Sequence, residues 1–324
     1  MHISFLSIIC DPFTGEDLEL EVIKQNGEFI IEGVLKNKNS YFTISKGIPR
    51  FIKKNDLKHS FNFQWKKWNK LQFENQNIGL PMEGQTKKMF YSITDFKDEM
   101  GINKVFLDIG AGSGRFADIL IKSGSKVICI EVSNSVDQIY ENLDKNSKNA
   151  LIIQCDFENL PIKNSSIDHA FSIGVLHHSK SPEAAFSETY RVLKKKGSFA
   201  VSVYSKDSPY NDLLVFFWRK VFNFLKYFFS YYPVLIYAYI FVNIYFFIAK
   251  IFRFKGLNIF RYSIFPALIY KDRNWSLLDT FDLLSPKFAS CHSDMEVTKW
   301  FEKNLFKDLK KSKWADCCYK GYKN

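Results

Sequence analysis

The run Val105-Phe-Leu-Asp-Ile-Gly-Ala-Gly-Ser-Gly-Arg-Phe116 constrains this chain more than any other stretch. Val105 to Ile109 is predominantly apolar and predicts a buried parallel strand. Gly110-Ala-Gly-Ser-Gly114 ends it, and Phe116, Ile119 and Leu120 then recur at helical spacing. Strand, glycine loop and helix make the first βα turn of a nucleotide-binding sheet. The glycines let the backbone approach a ligand closely, and the helix start offers free N–H donors.

The dinucleotide fingerprint requires glycine at its sixth position, and counting from Gly110 that position is Arg115. The nicotinamide or flavin pattern therefore fails. Asp108, two residues before the first glycine, suits another ligand. A carboxylate at the strand tip can meet an ammonium group, as in the amino-acid end of S-adenosylmethionine (SAM).

The residues that follow extend this reading. Lys126-Val-Ile-Cys-Ile-Glu131 predicts a second strand ending in an acid, 21 residues after Gly110. Glu131 is placed to accept both hydroxyls of a ribose. Leu151 to Asp156 predicts a third strand, with Asp156 toward an adenine amino group and Phe157 against the ring. A fourth strand is expected over Ile167–Gly174, including Ser172, with His177 and His178 just beyond it. Ser181 and Pro182 open a helix with Ala185, Phe186, Tyr190 and Leu193 on its buried face. Ser198–Tyr204 predicts a fifth strand.

Residues 104–204 resemble the core of the class I SAM-dependent methyltransferases. The matching motifs are LDIGAGSGRF, VICIEVS, QCDFENLPIKNSSIDHAFSIGVLHH and ETYRVLKKKGSFAVSVY. Lys195-Lys196-Gly197 replaces the usual Pro-Gly-Gly turn of that family. The expected fold is α/β: a Rossmann-like seven-stranded sheet with a helical insert and a small β-rich N-terminal module. The expected cofactor is SAM, held by Asp108, Gly110, Ala111, Gly112, Gly114, Glu131, Asp156, Phe157 and Ser172.

The first module, residues 1–56, predicts strands at Leu18–Lys24 and Glu28–Leu35 around an Asn26-Gly27 turn. With Lys46-Gly-Ile-Pro-Arg-Phe51 it resembles the zinc-ribbon-like module that precedes the catalytic domain in many of these enzymes. The metal-binding cysteines are missing. Cys10 stands alone, Phe13 occupies its partner's place, and no cysteine lies between Val34 and Ser40. A structural zinc needs four ligands, so a metal-free remnant is expected. The six cysteines form no CxxC pair, which argues against both a metal site and a disulfide framework. A reducing cytoplasm is the expected setting, with the inner face of the membrane as a second. Residues 57–100 predict helices, and Ser60-Phe-Asn-Phe-Gln-Trp65 resembles a family segment that covers the cofactor. Gln64, Trp65 and Tyr91 either close the methionine end or pack as aromatic core, and packing is the favoured alternative.

Residues 101–206 form the expected SAM-binding core, 207–285 interrupt it, and 286–324 return a helix and the last two strands. Ser293-Asp-Met-Glu296 reads as a capping box. Net charge is +11, but its placement argues against nucleic acid. From Leu213 to Lys271 there are eight basic residues and no acidic one, all within a very apolar segment. Tyr227–Ala249 holds 23 residues without a charge, enough for a membrane span. Six tyrosines, Pro233 and Asn243 oppose a span, as does the need for the residues beyond it to complete the same sheet. An aromatic cap over the acceptor side is expected, with peripheral membrane contact through 213–260 as its variant. Asp279 and Asp282 either face the pocket or anchor the return turn.

Methyl transfer needs alignment, and a base where the acceptor must lose a proton. His178, and less directly His177, stand at the ligand-binding edge of the sheet as candidate bases. The reading is a methyltransferase acting on O or N of a small or lipid-linked acceptor, surface glycans included, and not on nucleic acid. A quinone-like lipid methyltransferase and a non-catalytic SAM-binding partner subunit are the alternatives.

Overall fold

The computed structural model describes residues 1–52, 59–97, 102–143, 147–252 and 257–324. The module boundaries expected near 56 and 100 fall outside the described residues. Four strands open the chain: β1 (Glu19–Asn26), β2 (Phe29–Lys36), β3 (Tyr41–Ser45) and β4 (Ile48–Arg50). Helices α1 (His59–Lys67) and α2 (Gln85–Thr94) follow. The α/β core runs β5 (Val105–Ile109), α3 (Arg115–Lys122), β6 (Lys126–Glu131), α4 (Val136–Asn142), β7 (Ala150–Gln154), β8 (Ile167–Ile173), α5 (Pro182–Val192) and β9 (Leu193–Ser202). The insert supplies α6 (Leu213–Phe229), α7 (Tyr232–Ile251) and α8 (Arg273–Leu284). The chain closes with α9 (Asp294–Lys303), β10 (Phe306–Lys311) and β11 (Cys318–Lys323).

Seven contiguous strands, β7-β6-β5-β8-β9-β11-β10, form the Rossmann-like sheet. The first five are parallel, and β11 returns antiparallel against β9. The interior strands read as continuous apolar runs because helices cover both faces. Ile109, Ile130 and Ile153 are fully withdrawn from solvent. The last two strands come from beyond the insert, so α6–α8 lie in the chain between β9 and the strands that complete the sheet.

The sheet is wider than expected. β4 joins the edge of β7, with Arg50 opposite Gln154, and extends the seven strands to eleven. The Phe51 N–H donates to the Gln154 carbonyl at 2.7 Å, and the Arg50 guanidinium bonds the Gln154 side chain and Asp137. The N-terminal module thus covers an edge that would otherwise offer unpaired backbone groups. Within it, the loop after Cys10 is held by Asp11, whose carboxylate accepts from the Phe13 and Thr14 N–H groups and from the Asn37 amide. Asn37 in turn accepts from the N–H groups of Asn39 and Ser40. Hydrogen bonds therefore join the loop after Cys10 to the loop between β2 and β3. Phe13 points to solvent, and among the described residues no His, Cys, Asp or Glu cluster could hold a metal.

Lys195-Lys196-Gly197 is not a free turn. It runs inside β9 as an irregularity, with Lys196 at φ +63°. Any side chain at 197 would stand 2.8 Å from the carbonyls of Asp168 and Lys194.

Candidate active site

The glycine loop is pressed from two sides. Gly110 has φ +77°, and a Cβ there would come within 2.3 Å of the Val175 side chain. Gly112 has φ +59°, and its Cβ would meet the Trp65 indole at 2.9 Å. Only glycine combines these backbone angles with such contacts. Gly114 caps α3 from the left-handed region, facing Ile139 and Leu143. The Gly110 and Ala111 N–H groups donate to the Ile130 carbonyl, which fixes the loop to the tip of β6.

Glu131, at that tip, accepts from the Gly112 N–H at 3.2 Å and from the Ser133 N–H at 2.8 Å. Asp108 is buried, and its Oδ2 has no hydrogen-bond partner among the described residues. Burial pushes its carboxyl up to about 8, with Glu131 adding to the rise and Arg115 opposing it. A buried, unsatisfied carboxyl oxygen at the β5 tip, behind the glycine loop, is what an ammonium group reaching past the loop would complete. These residues fit SAM: Asp108 would meet its amino group and Glu131 would accept from its ribose.

A cavity of about 560 Å³ opens over this loop. Of the residues expected to hold the cofactor, Gly110, Ala111, Gly112, Glu131 and Phe157 line it. Asp108, Gly114, Asp156 and Ser172 do not. Asp108 sits behind the loop. Asp156 instead accepts from the Glu158 N–H at 3.2 Å, which turns the chain after β7. The Ser172 hydroxyl donates to the Ile109 carbonyl and ties β8 to β5. The strand tips thus bring two carboxylates to the loop, and the third shapes its own turn.

The two histidines part in the same way. His178 lines the cavity, and its Nδ1 pairs with the Phe288 carbonyl at 2.9 Å. With the proton on Nδ1, the lone pair is on Nε2. His177 is fully buried, accepts from the Tyr204 N–H, and stacks on the Tyr204 ring at 3.6 Å between centroids. It supports Tyr204 and takes no part in the cavity wall. Gln64 and Trp65 line the cavity beside the loop, while Tyr91 packs beside Phe90.

The opposite wall comes from the insert. On α8, Trp275, Leu278, Asp279 and Asp282 fall at helical spacing on one face, and all four line the cavity. Asp282 accepts the Tyr204 hydroxyl at 3.0 Å and a hydrogen bond from Gln64. Asp279 accepts one from Tyr270, and burial pushes its carboxyl up to about 6. Burial also raises Asp282. Tyr204 and Tyr210 stack at 3.6 Å, and burial lifts both phenols well above their ordinary range. Arg115 stands between the walls. It donates to the Gln72 side chain, crosses the Phe116 ring, and faces Asp279, Asp108 and Asp282. Arg115, Tyr204, Tyr210 and Tyr270 escaped the sequence reading. Only the Trp275/Leu278/Asp279/Asp282 spacing carried a signal, two carboxylates on an otherwise apolar helix face.

The sequence family described as "Methyltransferase domain" matches residues 107–201. A tRNA U34 carboxymethyltransferase from Ruthia magnifica subsp. Calyptogena magnifica is 32% identical over 29% of this chain and 31% of its own length. A sterol 24-C-methyltransferase from Pneumocystis carinii is 30% identical over 34% of this chain and 32% of its own. The crystal structure of a SAM-dependent methyltransferase from Aquifex aeolicus overlays 73% of this chain and 96% of its own, at 16% identity and a TM-score of 0.39. The chain thus spans about a third of the length of the curated relatives it matches.

Proposed function

We propose that this chain, which carries a class I SAM-dependent methyltransferase domain at residues 107–201, transfers the methyl group to a hydroxyl or amine of an acceptor held between the glycine loop and α8. The observation that carries the reading is the single cavity lined by both the cofactor loop and the Asp279/Asp282 wall. SAM supplies a methyl already activated by its sulfonium. The protein's part is therefore alignment, exclusion of water and management of one proton.

Trp65 covers Gly112 and closes the loop side. Asp282, fixed by Tyr204 and Gln64, orients a donor group of the acceptor. Two groups are suited to take its proton: His178 through Nε2, and Asp279, whose raised carboxyl sits close to neutrality. An acidic, tyrosine-rich wall suits a polyhydroxy or amine-bearing group, free or attached to a lipid.

A second reading comes from the relatives. The bacterial relative named above is a tRNA U34 carboxymethyltransferase, and the net charge of +11 would favour a polyanion. This reading reopens the nucleic-acid substrate that the distribution of charge argued against. The sterol enzyme matches at a similar identity, 30% over 34% of this chain, so these relatives do not by themselves favour one acceptor class.

The purified chain, incubated with methyl-labelled SAM, separates these readings. Label in a lipid or small-metabolite extract that survives ribonuclease supports the first. Label in a transfer-RNA pool that ribonuclease releases supports the second. Calorimetric binding of SAM with no label in either pool points to a non-catalytic SAM-binding subunit.

A further inference from the structure

The insert has an outer face that the cavity does not use. On α6, Phe216, Phe224 and Phe228 are exposed, and on α7 Ile236, Ile240 and Phe247 are exposed, each set at helical spacing. The opposite faces are buried, with Val215 and Phe222 on α6 and Ala238 and Val242 on α7. α6 and α7 pack on each other and on α8, so the two stripes border a common cap. Contiguous exposed apolar area of this kind marks a surface with a partner.

We infer that the outer face of α6 and α7 docks into the interfacial layer of a membrane rich in anionic lipid. The charge pattern selects this occupant. From Leu213 to Lys271 there is no acidic residue against eight basic ones, and Lys220 and Lys250 lie exposed on the two helices. Arg219 is buried and Arg261 lines the cavity, but a second copy would still set the exposed Lys220 and Lys250 against their own copies with no acidic residue on these helices to pair them. A bilayer with anionic headgroups meets both the phenyl rings and the ammonium groups. Tyr227 and Tyr232 are exposed around the α6–α7 turn, where an amphipathic ring suits the headgroup layer.

α7 is long and apolar enough to cross a membrane by length and composition, but its inner face is committed. Tyr237 and Tyr245 donate from their hydroxyls to the carbonyls of Pro266 and Phe265, and α7 packs on α8, which carries Asp279 and Asp282. A crossing would strip that contact and dismantle the cavity wall. Lying in the interface leaves it whole. This inference rests on the outer face alone and holds whichever acceptor fills the cavity.

The test is flotation of the full chain with phosphatidylcholine vesicles, with and without one quarter phosphatidylglycerol. Binding to the anionic vesicles is expected to exceed binding to neutral ones, and to fall as salt is raised. Phe224→Asp/Phe228→Asp should lower it on the order of tenfold or more, from lost apolar burial. Lys220→Glu/Lys250→Glu should abolish the preference for the anionic vesicles and leave thermal melting unchanged. Equal binding to both vesicle types, or binding that neither double variant alters, overturns the proposal. So does failure to float combined with a dimer in sedimentation that the phenylalanine variant converts to monomer, since the face then belongs to a second copy. Should the phenylalanine variant not fold, the lysine variant decides alone.

Discussion

The two walls of the cavity are made in opposite ways. The loop wall comes from strand tips, each a few residues of backbone set by the sheet, with Gly110, Gly112 and Glu131 held by neighbours in register. The cap wall comes from one helix face, α8, whose Asp279 and Asp282 point inward among aromatics while α6 and α7 turn phenyl rings outward. The first wall is local, built from the loop after β5 and the tip of β6 beside it. The second is an assembly of distant segments, in which Tyr204 reaches Asp282 across 78 residues of chain. A wall of the first kind admits one ligand and tolerates little change. A wall of the second kind can be rebuilt for a new acceptor without touching the loop.

Substitutions on the two sides should separate accordingly. Gly110→Ala on the loop wall should have the largest effect, because its Cβ would overlap Val175 at 2.3 Å and its backbone is left-handed. A loss of about 2–4 kcal/mol in urea unfolding is expected, with SAM binding below detection by calorimetry. A mild phenotype would show that the loop yields as freely as the cap.

Asp108→Asn should come next. Losing a charge-assisted bond to the cofactor's ammonium should weaken SAM binding by about 10- to 100-fold. The free protein should respond in the other direction. The folded carboxyl titrates at about 8 against an ordinary 3.8, so its proton stabilises the fold below about pH 4 and that contribution is lost as pH rises to 8. The variant should therefore melt higher than the parent at pH 8 and alike at pH 4. A lower melting temperature at pH 8 would show that Asp108 is paired in the free protein.

On the cap wall, Asp279→Asn should lower turnover by roughly 10²-fold, with SAM affinity nearly unchanged. The rise of rate through about pH 6 should flatten, since the parent carboxyl must lose its proton there. If His178→Ala removes that pH step and Asp279→Asn leaves it, the histidine is the base. Tyr204→Phe should have the smallest effect, a loss of about 1 kcal/mol from one hydrogen bond to Asp282, read as a weaker acceptor affinity.

How much of this was legible varied with distance along the chain. β5 and β6 have the expected bounds, Val105–Ile109 and Lys126–Glu131, because an apolar run closed by a glycine loop or an acid leaves a strand little freedom. The Ser181 hydroxyl accepts from the Ala184 N–H, and Ser293 forms its capping box with Glu296, since both caps depend on three residues only. β9 begins at Leu193, earlier than its apolar run, because Leu193 already pairs with Ile167 of β8, and Lys194–Gly197 bulge out of register before pairing resumes at Ser198. The joining of β4 to β7 left no trace in the sequence, as one parallel pair at Arg50 and Gln154 needs no motif. Asp156 looked equivalent to Glu131, and only the turn closed by the Glu158 N–H sets it apart.

The sequence by itself determined the order of strands, the glycine loop and the carboxylates at its edge, because these follow from periodicity, backbone freedom and charge over spans of a few residues. Tertiary structure alone decided which of those groups meet. It set His178 in the cavity wall and His177 behind Tyr204, brought Arg115 before the α8 carboxylates, and left the phenyl rings of α6 and α7 outside. The physical reason is that burial and pairing belong to contacts between distant segments. The chemistry of Asp108 and Asp279 depends on that burial more than on the residues beside them in the chain.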